Sequence, residues 1–296
     1  MPPKGACLFA KERSLQGERL FHWEDDMLGE IIAQCRAVQP LLHCITNYVT
    51  ANDCANLLLA CGGSPIMADD PEEAAEITAM CGGLVVNLGT PNPRKLSAML
   101  LAGQEAGRLH HPVVLDPVGV GCSDMRRAAA MQLLEQVRMA AIRGNAGEIA
   151  ALACGAASRR GVDNDGEQAC AASAREHAVR LARASGAVVI VTGDADIVTD
   201  GRIVYRVHNG HPMMRTVTGT GCQLSALTGA YITSSPDRPL EAALAAVCAM
   251  GLCGETACGR LAPQDGNASY RNYIIDAMYH LSPEDLERGA RYEADQ

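Results

Sequence analysis

Six short runs, at 40–46, 64–67, 83–88, 112–115, 139–143 and 187–192, are almost unbroken in valine, isoleucine and leucine. A strand with one face in water alternates apolar and polar residues. A continuous apolar run instead fits a parallel strand covered on both faces. The segments between the runs are long enough for crossover helices. Two of them, 70–81 and 93–106, open on acidic residues or proline, which suit a helix N-terminus. Residues 197–199 and 202–207, joined by Asp200-Gly201, read as a hairpin at the edge of the sheet. Neither a linker nor a repeat interrupts the pattern. The expectation is an α/β fold with a mostly parallel central sheet and helices on both faces, forming one domain over 29–296. Residues 1–28 lack periodicity and read as an N-terminal extension.

Composition narrows the function. The chain of 296 residues is 48% apolar and only 3% aromatic, enough to fill a core with small aliphatic side chains and to exclude general disorder. Twenty-five basic residues against 34 acidic ones give a net charge of −9, which argues against a broad grip on nucleic acid. The 13 cysteines contain no C-x-x-C pair and mostly sit among apolar residues, as at Cys54, Cys61, Cys81, Cys248 and Cys253. They read as reduced thiols. With no signal-peptide pattern at the N-terminus, the expected location is the cytoplasm. The most apolar stretch, 242–254, is shorter than a membrane span and reads as a buried helix.

In open sheets of this kind chemistry gathers beyond the carboxyl ends of the strands. Three groups of residues stand out there. Thr218-Gly219-Thr220-Gly221-Cys222 precedes a helical pattern over 223–234. Its glycines permit a tight bend, and the helix start would aim unpaired N–H groups at an anion. A plain glycine turn is the alternative, and no Walker pattern is present. Arg143-Gly144-Asn145-Ala146-Gly147-Glu148 follows a strand. Its Asn145 and Glu148 either organise Mg²⁺ through water or form a capping box. Asp116, in Leu115-Asp116-Pro117-Val118-Gly119, ends a strand and is either a metal carboxylate or a turn residue. A valine at Gly221 is expected to abolish activity by intruding on a phosphate.

Together with Ile45-Thr46-Asn47-Tyr48-Val49, Gly63-Ser64-Pro65-Ile66-Met67-Ala68, Asn87-Leu88-Gly89-Thr90, Gly161-Val162-Asp163 and His208-Asn209-Gly210-His211, these blocks resemble the hydroxyethylthiazole kinases. Those enzymes are members of the ribokinase-like superfamily that serve thiamine biosynthesis and salvage. The resemblance extends over about residues 30–290. The cysteine in Gly-Thr-Gly-Cys, where most of the superfamily has aspartate, is typical of this family. It implies a ribokinase-like three-layer sandwich and ATP-dependent phosphorylation of the hydroxyl of 4-methyl-5-(2-hydroxyethyl)thiazole. On matching positions it implies Arg143 and Thr192 at ATP, and Met67 and Gly219 at the thiazole. Asn47 and Val49 would line the substrate pocket, and Asp116 and Glu148 would serve Mg²⁺. Cys222 would stand at the catalytic position, with Gly219, Thr220 and Gly221 forming the cradle. A homotrimer with sites between subunits is also implied. Gly266-Asn267-Ala268-Ser269 departs from the Gly-Pro-Gly-Ser frequent in the family.

A thiol at a helix N-terminus has its thiolate favoured, while a nearby triphosphate disfavours it, so Cys222 is expected to assist without being indispensable. Rival enzymes are a hydroxymethylpyrimidine kinase and a repair dehydratase; a silent nucleotide-binding scaffold is a third reading. His208 and His211 read as part of a turn, His110 and His111 as surface residues, and 163–166 as a solvated turn.

Overall fold

Alternate residues of the central apolar runs enter two different cores, whereas the run at 64–67 is only half-buried. Leu84 and Val86 pack on one face of the sheet and Val85 on the other; Val113 and Leu115 are likewise separated from Val114. Each such side chain, fully withdrawn from water, contributes about 1.5–3 kcal/mol. This two-sided burial is why the runs are continuous rather than alternating.

The structure, a computed structural model, describes residues 27–154 and 167–295, the side chains of 167–172 excepted. Parallel strands β1 (Leu41–Ile45), β2 (Ser64–Ile66), β3 (Gly83–Asn87), β4 (Val113–Asp116), β5 (Ala141–Asn145) and β6 (Val188–Thr192) coincide with the six runs. Antiparallel β7 (Asp196–Thr199) and β8 (Val204–Val207) form the expected hairpin. The strand order is β2-β1-β3-β4-β5-β6-β7-β8-β9. The hairpin is therefore not the edge. The C-terminal strand β9 (Tyr292–Asp295) pairs antiparallel with β8 and covers it. Its sequence is short and half-exposed, so no apolar pattern announces it.

Helices α1 (Met27–Val38), α2 (Ala51–Cys61), α8 (Thr220–Ser234), α9 (Pro239–Gly259), α10 (Asn267–His280) and α11 (Pro283–Gly289) contribute to one core. The other face carries α3 (Ala74–Met80), α4 (Pro93–Leu109), α5 (Asp124–Gln136), α6 (Ala146–Cys154) and α7 (Glu167–Ser185). The result is a three-layer sandwich. Helix α3 begins four residues later than its acidic opening suggests. Asp70 Oδ1 instead accepts from Glu72 N at 2.9 Å, holding 70–72 in a turn. Helix α4 is capped by Asn92, whose side chain accepts from Lys95 N at 3.0 Å, and stops at His110, with φ 58°. Helix α9 extends beyond the apolar stretch to 21 residues, long and apolar enough to cross a membrane, yet 72% of its most apolar window is buried inside the protein. The turn at 163–166 and the Gly161-Val162-Asp163 block lie outside the described residues.

Candidate active site

Register brings the polar strand ends into one row. Asn87 pairs with Asp116 across β3 and β4, and Asn145 with Thr192 across β5 and β6. Asn47 follows β1 on the opposite side of Asp116 from Thr192. Over this row sits the start of α8. Its N-cap, Gly219, has φ +89°, and a Cβ there would lie 2.3 Å from Thr50 Cγ2. Both the left-handed backbone and the close approach of Thr50 require glycine. No described side chain caps α8. The first-turn N–H groups of Thr220, Gly221 and Cys222 therefore have no helical acceptors and present a positive end.

Asp116 is fully buried beneath this bend. Its Oδ2 accepts from Asn87 Nδ2 and from Ser225 Oγ, both at 2.8 Å, and lies 3.7 Å from Arg143 Nη1. Its Oδ1 has no partner among the described residues. Burial pushes the carboxyl up to about 6, against the pull of Arg143 and of the Ser225 and Asn87 hydrogen bonds. Arg143 Nη2 donates to Thr192 Oγ1 at 2.8 Å, and its guanidinium lies against Gly221. A Cβ at 221 would be 2.3 Å from Nη1 and 2.5 Å from Nη2. A larger residue there thus meets Arg143 directly, which corrects the expectation of a clash with phosphate alone.

Cys222 faces the other way. Asn47 Nδ2 and Asn87 Nδ2 each donate to its sulfur at 3.2 Å. Burial, then the nearby Asp116 carboxylate, raise the thiol pKa above its ordinary value, outweighing hydrogen bonds from Thr50, Asn87 and Asn47. Desolvation thus acts against the thiolate that a helix start favours.

Glu148 and Asn145 form the reciprocal capping box. Asn145 N donates to Glu148 Oε2 at 2.8 Å, and Glu148 N to Asn145 Oδ1 at 2.9 Å. Glu148 Oε1 also takes Gly119 N at 2.8 Å. Each carboxylate oxygen keeps a further lone pair, so the cap does not use up what Glu148 could offer a water-bound ion. No cluster of three or more metal-binding side chains occurs among the described residues. One orphaned carboxylate oxygen on Asp116, with Glu148 nearby, suits an ion held mainly by phosphate and water. A protein cage is not built here.

A cavity of about 320 Å³ opens beside the bend, lined by Arg143, Thr192, Thr220 and Gly221 and closed by 208–211. That segment is fixed by Glu255, which accepts from Gly210 N at 2.7 Å and pairs with Arg291 at 2.7 Å. The sequence marks 208–211 as a turn and a family-like block; its wall position and the Glu255 clamp depend on contacts between distant segments. His208 meets Glu293 at 3.2 Å, and His211 caps Met213 N at 3.2 Å. Met67, Asn47 and Val49 do not line the cavity. They lie on the β1–β2 side of the bend, where Val49 is 65% and Met67 39% exposed. Thr50 and Ser225 carried no sequence signal of their own, although Ser225 stands one turn beyond Gly221 and so faces the same strand end.

An uncapped helix start thus stands over a buried carboxylate at the carboxyl edge of this sheet. The sandwich superposes with a TM-score of 0.54 on a ribokinase-like superfamily protein from Enterococcus faecalis V583, covering 89% of this chain and 100% of that one at 10% identity, a likeness of fold alone. The model of the hydroxyethylthiazole kinase family matches residues 32–284. A hydroxyethylthiazole kinase from Clostridium acetobutylicum is 51% identical over 272 residues, covering 90% of this chain and 100% of that one. The structure of a hydroxyethylthiazole kinase from Pyrococcus horikoshii OT3 matches with a TM-score of 0.81 at 33% identity, over 91% of this chain and 99% of that one. The chain belongs to the hydroxyethylthiazole kinase family.

Proposed function

We propose that this kinase transfers the γ-phosphoryl group of ATP to the hydroxyl of 4-methyl-5-(2-hydroxyethyl)thiazole, giving the thiazole phosphate and ADP. The observation that carries the reading is the two-sided bend at 219–222. One side faces the cavity with Arg143 and Thr192; the other presents Cys222 and Asn47. The nucleotide occupies the cavity side, with its transferable end against the free N–H groups. The alcohol approaches from the β1 side, past Asn47, Val49, Met67 and Gly219.

Phosphoryl transfer through a loose transition state asks mainly for alignment and charge neutralisation. The N–H groups of Thr220, Gly221 and Cys222 supply fixed donors for the moving charge, and Arg143 adds a guanidinium. Cys222, protonated and held by two carboxamides, orients the alcohol rather than removing its proton. Asp116 and Glu148 would hold Mg²⁺, which when bound neutralises triphosphate charge. Tyr48, Val49 and Met67, exposed on the acceptor side, support a homotrimer in which a neighbouring chain closes that pocket. A cytoplasmic location is supported by the free state of all the described cysteines.

Isotope transfer from γ-labelled ATP tests the reading. Label is expected on the thiazole alcohol and not on a pyrimidine alcohol. Equal labelling of both, or none, would reject the substrate assignment.

A further inference from the structure

Of the chain's 25 basic side chains three are lysines, at 4, 11 and 95. Lys95, the one within the described residues, is 1% exposed in the first turn of α4. Burying an ammonium is costly unless its three donors find partners. Those found here come from two other segments. Nζ donates to the carbonyl of Thr46, stands 4.2 Å from the centre of the Tyr48 ring, and lies 3.9 Å from Asp69 Oδ2. An ammonium over an aromatic face is attractive, more so when water is excluded.

These partners flank the acceptor side. Thr46 and Tyr48 bracket Asn47, whose carboxamide reaches Cys222, and Asp69 lies two residues after Met67. The same loop buries Thr46, Asn47 and Thr50 and exposes Tyr48 and Val49, so its inner side is where Lys95 can act on the position of Asn47. Outside it, Arg94 of the same helix turn pairs with Asp70 at 2.5 Å. None of the three groups around Lys95 lines the cavity beside Arg143.

We propose that Lys95 is a positioning residue for the alcohol acceptor. Its buried ammonium ties the start of α4 to the 46–48 and 67–69 segments and so sets the reach of Asn47 to Cys222. It touches neither substrate. The inference rests on the assignment of the β1 side to the acceptor made above.

Steady-state kinetics of Lys95→Met and Tyr48→Leu test it. Methionine keeps the length and removes the charge; leucine removes the ring at a position 61% exposed, and sedimentation velocity on the Tyr48→Leu variant separates loss of the ring contact from a disturbed contact with a neighbouring chain. Lys95→Met should raise the thiazole-alcohol KM about tenfold and leave the nucleotide KM within about twofold. Tyr48→Leu should raise the same KM about threefold. If Lys95→Met does not fold, Tyr48→Leu decides. A thiazole KM unchanged in the folded variants, or a parallel rise in the nucleotide KM, overturns the proposal. Absence of thiazole turnover in the unaltered enzyme would instead reject the functional reading on which it rests.

Discussion

At Cys222 two influences on a thiol oppose each other. Hydrogen bonds from Thr50, Asn87 and Asn47 favour the thiolate, while burial and the Asp116 carboxylate oppose it and raise the thiol above its ordinary value. Cys222→Ala should therefore keep kcat/KM within about tenfold of the unaltered enzyme, since a base contributes little to a loose phosphoryl transfer. A fall to background in a folded variant would restore the base. Asp116 is different, because its carboxylate is buried at a cost. With its pKa held near 6 in the folded chain against the ordinary 3.8, the native state binds the proton more tightly than the unfolded state. Stability from this group is complete below pH 4 and is lost as pH rises through 6, by about 3 kcal/mol. In thermal melts without nucleotide or metal, Asp116→Asn should gain on the unaltered protein between pH 4 and 6, then hold that gain. Parallel pH curves would contradict this. The same variant should lose turnover by about a thousandfold, as the metal-side charge is removed.

Among the elements, α8 depends most on what lies against it. Gly221 has an ordinary backbone, so alanine fits the helix; the obstacle is the Arg143 guanidinium within 2.5 Å of its Cβ. Gly221→Ala should displace Arg143 and lose activity to about the extent of Arg143→Ala, and the double variant should be within about twofold of the worse single one. Losses that multiply would show that the glycine serves the phosphate independently of Arg143. This dependence marks the limit of what the sequence could disclose. The bend at 219–222 was legible because two glycines before a helical pattern leave few conformations. Asp116 was legible because it ends a buried run. Arg143's position over Gly221, and the desolvation that acts against the Cys222 thiolate, arise from packing between segments about 80 residues or more apart. No local pattern encodes them. The Asn145–Glu148 box was legible as a cap, and the cap is present; that Glu148 also holds Gly119 N is a contact between the loop after β4 and α6 that spacing alone cannot give.

For the whole molecule, two-sided burial made the strands readable and the parallel crossover order followed from it. The edge was misread because β9 is short, polar and far along the chain from its partner β8. Beyond β1 the carboxyl edge is open, with Tyr48 61% and Val49 65% exposed beside a nearly dry Asn47. Sedimentation velocity should give a particle of three times the 31.2 kDa chain mass, and aspartate at Val49 should dissociate it. A monomer with full activity would contradict a pocket shared between chains. The cavity beside Arg143 is walled by 208–211 of the same chain, which Glu255 and Arg291 hold in place.

The claim on which the chemistry turns is that main-chain N–H groups at the start of α8 hold the phosphoryl group in transit. A crystal structure with a non-hydrolysable ATP analogue, Mg²⁺ and the thiazole alcohol measures this directly. The account predicts the terminal phosphate against the amides of Thr220, Gly221 and Cys222, with the alcohol oxygen on the Asn47 side. A terminal phosphate bound elsewhere, leaving those amides to water, would contradict it.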